Sequence, residues 1–435
     1  MTLQRKNIKK SGKKPKKKHT LLEIKDYLDF KYEFRRNQLT LEIEIRAIDK
    51  GDFVVLDEAY LNSLWIDLQL DGFKVSDTVL TKILNSKLTD EYNPLQIYFD
   101  KLPQYDGQTD YIGQLAETVT IADIKVGKVK LTELWRPYLE KWMVASVATA
   151  LGQGVNHLCL ILVGGQGIGK TTWLNNLCPA SMREFLVCSH INPSLTDVNT
   201  ANFLAEKWFV NVDDQLETIF GKDFNSMKAI ITAPFVTNRK TWHRFARKRQ
   251  RICSFMGSVN NPKFLTDNEN RRYLVFTTKD ISFNHDLDMG KVWAQALHLL
   301  ENKYNYWFTQ EEMIQLNQVN EIYRQVPPEE EWLMKMYEPC EPTNAHARFL
   351  MPSEMLTRIN AFSGMRLSIK KLSYAMERLG FGSPVSKRVN GSPRKVYAVI
   401  ERTDSDEDKY QDEVRRSFGQ AAEEVPAYVK DLLNN

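Results

Sequence analysis

The stretch Gly164-Gly165-Gln166-Gly167-Ile168-Gly169-Lys170-Thr171-Thr172 has the residue types and spacing that point most directly to chemistry. It follows an uninterrupted apolar run, Leu158 to Val163, and opens an apolar stretch with Trp173, Leu174 and Leu177. Between a strand and a helix, the pattern G-x-x-x-x-G-K-[ST] suits phosphate binding. Glycines free backbone N–H groups to wrap phosphate oxygens, Lys170 neutralises them, the Thr171 hydroxyl ligates Mg²⁺, and the helix N-terminus adds its positive end. ATP and Mg²⁺ are the expected cofactors, with residues 164–172 cradling the nucleotide. A chance glycine-rich turn is the bland alternative, and the coincidence of strand, four glycines and Lys-Thr argues against it.

A site of this kind needs a carboxylate on a neighbouring strand. The run from Trp208 to Val212 ends in Asp213 and Asp214. Asp213 is the candidate to orient the metal and Asp214 the candidate to polarise an attacking water, with Glu217 as second choice. A strand-end turn or helix N-cap would use the same residues. A third apolar run leads through Gly257-Ser258-Val259 to Asn260 and Asn261, so that Asn260 can sense a γ-phosphate or its water; an Asn-Asn-Pro turn explains these residues as well. Glu269-Asn270-Arg271-Arg272 precedes a fourth run and offers Arg271 or Arg272 to a neighbouring subunit as a charge-stabilising finger, where an ordinary surface ion pair is the alternative.

From Arg239 to Arg251 the chain carries seven Lys or Arg and no acid, with Trp242 and Phe245 interleaved. Cations bind phosphates and aromatic rings stack on bases. Such a run is commonly a solvated face, but its position inside a nucleotide-binding core favours a DNA-contacting hairpin.

The elements that must position these residues follow from pattern. Four short apolar runs separated by polar or helical stretches fit an α/β sheet covered on both faces. At 435 residues the chain is long enough for two to four compact units, and 43% hydrophobic with 26% charged residues is globular composition. The net charge of +4 hides an uneven distribution: Met1 to Lys18 holds nine of the 59 cations and no acid, leaving 50 cations against 55 acids. That tail is either a nucleic-acid anchor or a solubilising terminus. Five scattered cysteines without a C-x-x-C pair suit neither a disulfide framework nor a zinc site. No apolar run approaches the roughly 18 to 20 residues of a bilayer span, and no signal peptide opens the chain. The composition therefore reads as a soluble, cytoplasmic protein with no membrane partner. The expected organisation is a basic tail (1–20), a small accessory α/β domain (21–92), a helical region (93–152), a P-loop ATPase domain (153–338), a winged-helix-like domain (339–402) and an acidic tail with a short helix (403–435).

Taken together, these residues resemble the virulence-associated E family, whose ATPase core is similar to the superfamily 3 helicases of viruses, phages and mobile elements. The likeness rests on Asn93-Pro94 with Tyr105-Asp106-Gly107, the Gly164 to Thr171 loop, Lys228 with Ile231-Thr232-Ala233, and Ser254 to Asn260 leading to Asn270-Arg271-Arg272-Tyr273. It implies an ASCE-type, AAA+-like ATPase assembled as a homo-oligomeric ring, a hexamer, encoded by a phage or mobile element in a bacterial host. It also implies Asn260 as sensor, Arg272 as first choice for the finger with Arg271 second, and a hairpin from Lys240 to Arg249 gripping DNA in the channel. Lys240, His243, Arg244, Arg247, Lys248 and Arg249 are then the DNA-binding candidates, although this hairpin is richer in basic residues than the family's and lacks its usual Pro-Tyr. The C-terminal part resembles the winged helices appended to phage and poxvirus primase-helicases. Only about 90 residues precede the family-like region, too few for a catalytic primase, so a separate chain would supply priming.

The expected function is an ATP-dependent DNA helicase. Its rivals are a nucleotide-switched DNA-binding initiator or regulator that does not unwind, and a defence-type ATPase acting on protein.

Overall fold

The computed structural model describes residues 20–402 apart from 49, 220–221, 240–244, 267–269 and 390. The lysine-rich and acidic tails, and Lys240, His243 and Arg244, lie outside the described residues. The chain divides into two compact units, Met1–Lys101 and Leu102–Asn435.

In the first unit, α1 (Leu21–Lys31) begins at a capping box in which Thr20 and Glu23 satisfy each other's backbone N–H. It is followed by β1 (Tyr32–Asn37), β2 (Ile43–Ala47), β3 (Lys50–Val55), α2 (Glu58–Leu70), α3 (Asp77–Leu84), β4 (Asp90–Tyr92) and α4 (Pro94–Asp100). The sheet order is β3-β2-β1-β4, and Ile24, Leu28, Ile45, Leu64, Leu68 and Leu80 form its core. The alternation from Leu39 to Ile45 predicts one strand, yet only Ile43 onward is extended. Asn37 Oδ1 accepts from Leu39 N (2.9 Å) and Thr40 N (3.2 Å), and Leu41 takes φ 62°, which turns the chain before β2. The unit ends at 101 rather than 92. Asn93 caps α4 through Leu95 N (3.0 Å), with Pro94 at the first helical position.

The second unit continues with α5 (Tyr111–Glu117), β5 (Val119–Ile121), the short hairpin β6 (Lys125–Val126) and β7 (Val129–Lys130), α6 (Leu131–Ala150), β8 (Cys159–Val163), α7 (Lys170–Asn176), β9 (Leu186–Cys188), α8 (Val198–Glu206), β10 (Phe209–Asn211), α9 (Gln215–Thr218), α10 (Lys222–Thr232), β11 (Phe235–Asn238), β12 (Arg247–Gln250), β13 (Ser254–Val259), β14 (Tyr273–Ile281), α11 (Met289–Glu301) and α12 (Gln310–Asn320). Its main sheet has the order β5-β14-β8-β13-β10-β9. The central strands are parallel, while β5 runs antiparallel to β14. Every residue of β8 and β13 is buried, so both sheet faces are covered. The four apolar runs correspond to β8, β10, β13 and β14. β5 and β9 add two edge strands of three residues each, too short to stand out in the sequence.

After α12 come α13 (Pro328–Met336), β15 (Tyr337–Pro339), β16 (Arg348–Leu350), α14 (Pro352–Ser363), α15 (Ile369–Arg378) and the hairpin β17 (Val385–Val389) with β18 (Ser392–Glu401). The division expected at 338/339 cuts through this group. Leu333 and Tyr337 share one core with Met355, Ile359, Leu372 and Val399, so α13 packs with the C-terminal helices. Arg324, just before α13, pairs with Glu330 at 2.7 Å with both side chains buried, while Ser368 N donates to Glu329 Oε1 (3.1 Å). Among the described residues, no helix is long and apolar enough to cross a membrane.

Candidate functional site

At the C-terminal end of β8 the chain turns through residues 164–169 into α7. Gly167 and Gly169 adopt φ of 83° and 90°, and a Cβ at Gly169 would collide with the Phe283 ring. Only glycine satisfies both constraints at 169. Lys170 Nζ folds back onto the loop, donating to Gly164 O (2.7 Å), Gly165 O (2.8 Å) and Asn260 Oδ1 (2.9 Å). Burial pulls the Lys170 pKa down, against the opposing pull of Asp214, Asp213 and Glu217.

The three acids stand just beyond β10. Thr171 Oγ1 donates to Asp213 Oδ1 at 2.8 Å. Ser258 Oγ donates to the same oxygen and lies 3.2 Å from the Thr171 hydroxyl. Asp214 has a left-handed backbone, φ 53°, and accepts from Asn260 Nδ2 at 3.2 Å. Burial, then Asp213 and Glu217, raise its pKa. Glu217 Oε1 accepts from the backbone N–H of both Asn260 and Asn261, the latter at 2.9 Å. Glu217 thus ties α9 to the end of β13, a placement different from the water-facing role considered for it. Neither this role nor that of Ser258 was assigned from sequence. For Ser258 a signal existed: it stands at the end of the third apolar run, two residues before Asn260.

A hydroxyl beside a carboxylate is a hard-oxygen donor pair. It fits Mg²⁺, which binds through one or two protein oxygens and completes its shell with water and phosphate. Among the described residues, no cluster of three or more His, Cys, Asp or Glu is arranged to hold a metal by itself. Glycine backbone, Lys170 and the α7 N-terminus fit a polyphosphate.

The model of the virulence-associated protein E-like domain matches residues 105–325, just over half of the chain. The chain belongs to this family. The structure is also similar to the apo structure of the NrS-1 C-terminal region, with 12% identity and a TM-score of 0.46 over 88% of this chain and 99% of that one. The A form of the same region gives 13% identity and a TM-score of 0.44 over the same shares. No curated protein matches the chain.

The virulence-associated protein E-like segment holds every candidate from Gly164 to Arg272, but they fall at two ends of its sheet. Lys170, Thr171, Asp213, Asp214 and Asn260 converge where β8, β10 and β13 end. Arg271 and Arg272 stand where β14 begins: Cys159 N, at the start of β8, donates to Arg272 O at 2.8 Å. The length of β8 separates the two groups, about 16 Å at roughly 3.3 Å per residue. Within one copy, neither arginine joins the glycine-rich loop.

Of the hairpin expected from Lys240 to Arg249, residues 247–249 fall in β12, which pairs antiparallel with β11, and residues 240–244 lie outside the described residues. Arg247 and Lys248 are exposed, with Lys248 Nζ 4.0 Å from the Phe235 ring centroid. Arg249 differs from its neighbours. It turns back onto the fold, pairing with Glu206 (2.7 Å) and donating to Asn202 Oδ1 (2.6 Å) and Asn238 Oδ1 (3.1 Å). Its guanidinium supports the hairpin base instead of facing out.

Proposed function

We propose that this chain is an ATP-dependent DNA helicase or translocase that acts as a ring in the replication of a phage or mobile element. Membership of the virulence-associated protein E-like family supports a replication-associated role. One observation carries the motor reading: Lys170, Thr171, Asp213, Asp214 and Asn260 meet at the ends of adjacent parallel strands, linked by contacts of 2.8 to 3.2 Å.

In this reading Lys170 leaves the Gly164 and Gly165 carbonyls to contact the β- and γ-phosphates. Thr171 and Asp213 hold Mg²⁺, which when bound draws charge from those phosphates. Asp214, its proton affinity already raised, takes up proton density from the attacking water, and Asn260 orients that water. Arg272 of a second copy supplies positive charge to the transferring phosphoryl group. Arg247 and Lys248, with Lys240, His243 and Arg244, contact the DNA strand.

Steady-state ATP turnover with and without single-stranded DNA tests the proposal. Turnover stimulated by DNA and abolished by Lys170→Ala is expected; undiminished turnover in that variant would overturn it. A nucleotide-switched DNA-binding initiator is the second reading. The C-terminal α15 and β17–β18 favour it, because they expose Lys370, Lys371, Lys387 and Arg394, and a winged-helix reading of this part would present them to duplex DNA. A forked duplex separates the two, since a switch binds the fork without displacing a strand.

A further inference from the structure

At the sheet edge opposite the phosphate loop, a cavity of about 320 Å³ opens between the starts of β8 and β14, helix α6 and the segment before α12. That volume falls at the small end of ligand sites, roughly 300–1,000 Å³. One wall is aromatic: the Trp307 ring lies 4.9 Å from Tyr306 and 5.7 Å from His157, centroid to centroid. Trp307 remains 47% exposed and lines the cavity. Its backbone is held from behind by buried Lys141, whose Nζ donates to Trp307 O (3.2 Å) and to Glu312 (2.7 Å).

The opposite wall is cationic. Arg271 is exposed, and its side chain has no hydrogen bond or ion pair among the described residues. Arg272 Nε is buried with no hydrogen-bond partner there. By contrast the guanidinium groups of Arg249, Arg324 and Arg378 face carboxylates. A buried guanidinium nitrogen without an acceptor is costly, and an anion relieves that cost. The same edge carries the base of the β11–β12 hairpin, since Thr232 lines the cavity and Gln250 Nε2 donates to Gly152 O at 2.8 Å.

We propose that this cavity is a second nucleotide-binding site, separate from the phosphate loop, which stacks a nucleobase on Trp307 and takes the attached phosphate on Arg271. Arg272 adds positive potential from the wall and stays available for the role given to it above. A free mononucleotide and one unit of a DNA strand share this chemistry, and the proximity of the hairpin favours the strand.

The test uses the full chain carrying Lys170→Ala, which removes the phosphate-loop site. Binding of fluorescent AMP and of a labelled oligothymidylate is followed by anisotropy. At least one probe binds, and adding Trp307→Ala weakens that binding roughly 5- to 150-fold, the range for losing one stacked base. Trp307→Phe keeps most of the affinity, which separates loss of stacking from loss of fold. AMP binding identifies the free nucleotide as the source, and oligonucleotide binding alone identifies the strand. Failure of both probes to bind, or equal binding by the Trp307→Ala protein, overturns the proposal.

Discussion

Arg272 and Gly164 mark opposite ends of neighbouring parallel strands: the Arg272 carbonyl accepts from Cys159 N where β8 begins, and Gly164 follows Val163 where it ends. No side-chain rotation in one copy closes that separation. If Arg272 assists hydrolysis, it does so in a site shared between two copies. Lys170→Ala and Arg272→Ala should each lower turnover by about a thousand-fold or more. Mixing the two inactive proteins should restore a measurable fraction, because some shared sites then hold an intact Lys170 facing an intact Arg272. Co-assembly without any recovery would rule out the shared site.

Asp214 combines a left-handed backbone with a raised pKa. The folded state therefore holds the Asp214 proton more tightly than the unfolded state, so this group's contribution to stability falls as pH rises through its titration range. Asp214→Asn removes the charge and suits the same backbone, since Asn tolerates φ above zero. Expected are a higher Tm than the parent at neutral pH, a difference that shrinks in acid, and turnover reduced by at least about a hundred-fold. Thermal melts at several pH values check the sign.

The hairpin arginines should separate by kind of effect. Arg249→Ala removes the partly buried ion pair to Glu206 and the hydrogen bonds to Asn202 and Asn238, and should cost about 1.5–3 kcal/mol of stability. Replacing Arg247 and Lys248 together should leave the melting temperature unchanged and weaken single-stranded DNA binding. The salt slope should become shallower by about 1.4 if each contacts one phosphate. Affinity measured across a salt series distinguishes these outcomes.

Arg324 and Glu330 form a pair with side chains 1% and 3% exposed, and Arg378 Nε approaches Glu330 at 3.6 Å. Glu330→Ala leaves buried Arg324 with the Glu321 carboxylate, 3.2 Å from its Nε, as its remaining acidic partner, so unfolding in urea should report a loss of up to about 3–5 kcal/mol. A small loss would mean that Arg324 finds other acceptors.

Gly169 sits at φ 90° against Phe283. Gly169→Ala should disturb the loop on both counts, at about 1–3 kcal/mol of local strain. Nucleotide binding measured by calorimetry should weaken sharply while the far-UV spectrum is retained.

Local patterns made the central strands and the glycine-rich turn into α7 legible. Short apolar runs mark strands covered on both faces, and Gly-x-x-x-x-Gly-Lys-Thr confines a backbone shape to eight consecutive residues. Asp213, Asp214 and Asn260 were legible for a related reason, since polar residues at the ends of such runs reach one sheet edge together. Other features depended on residues distant in the chain. The inward turn of Arg249 depends on Glu206 and Asn202 in α8, and the Glu217 tie to Asn260 joins a helix to a strand more than forty residues away. α13 joins the C-terminal core because Leu333 meets Ile359 and Leu372 there, which periodicity within the helix cannot reveal. The cavity lined by Lys141, His157, Arg271 and Trp307 exists only once four separate segments meet. Sequence alone determined what depends on a residue and its near neighbours; tertiary structure decided which side chains found partners, because burial and pairing energies depend on what the fold brings alongside.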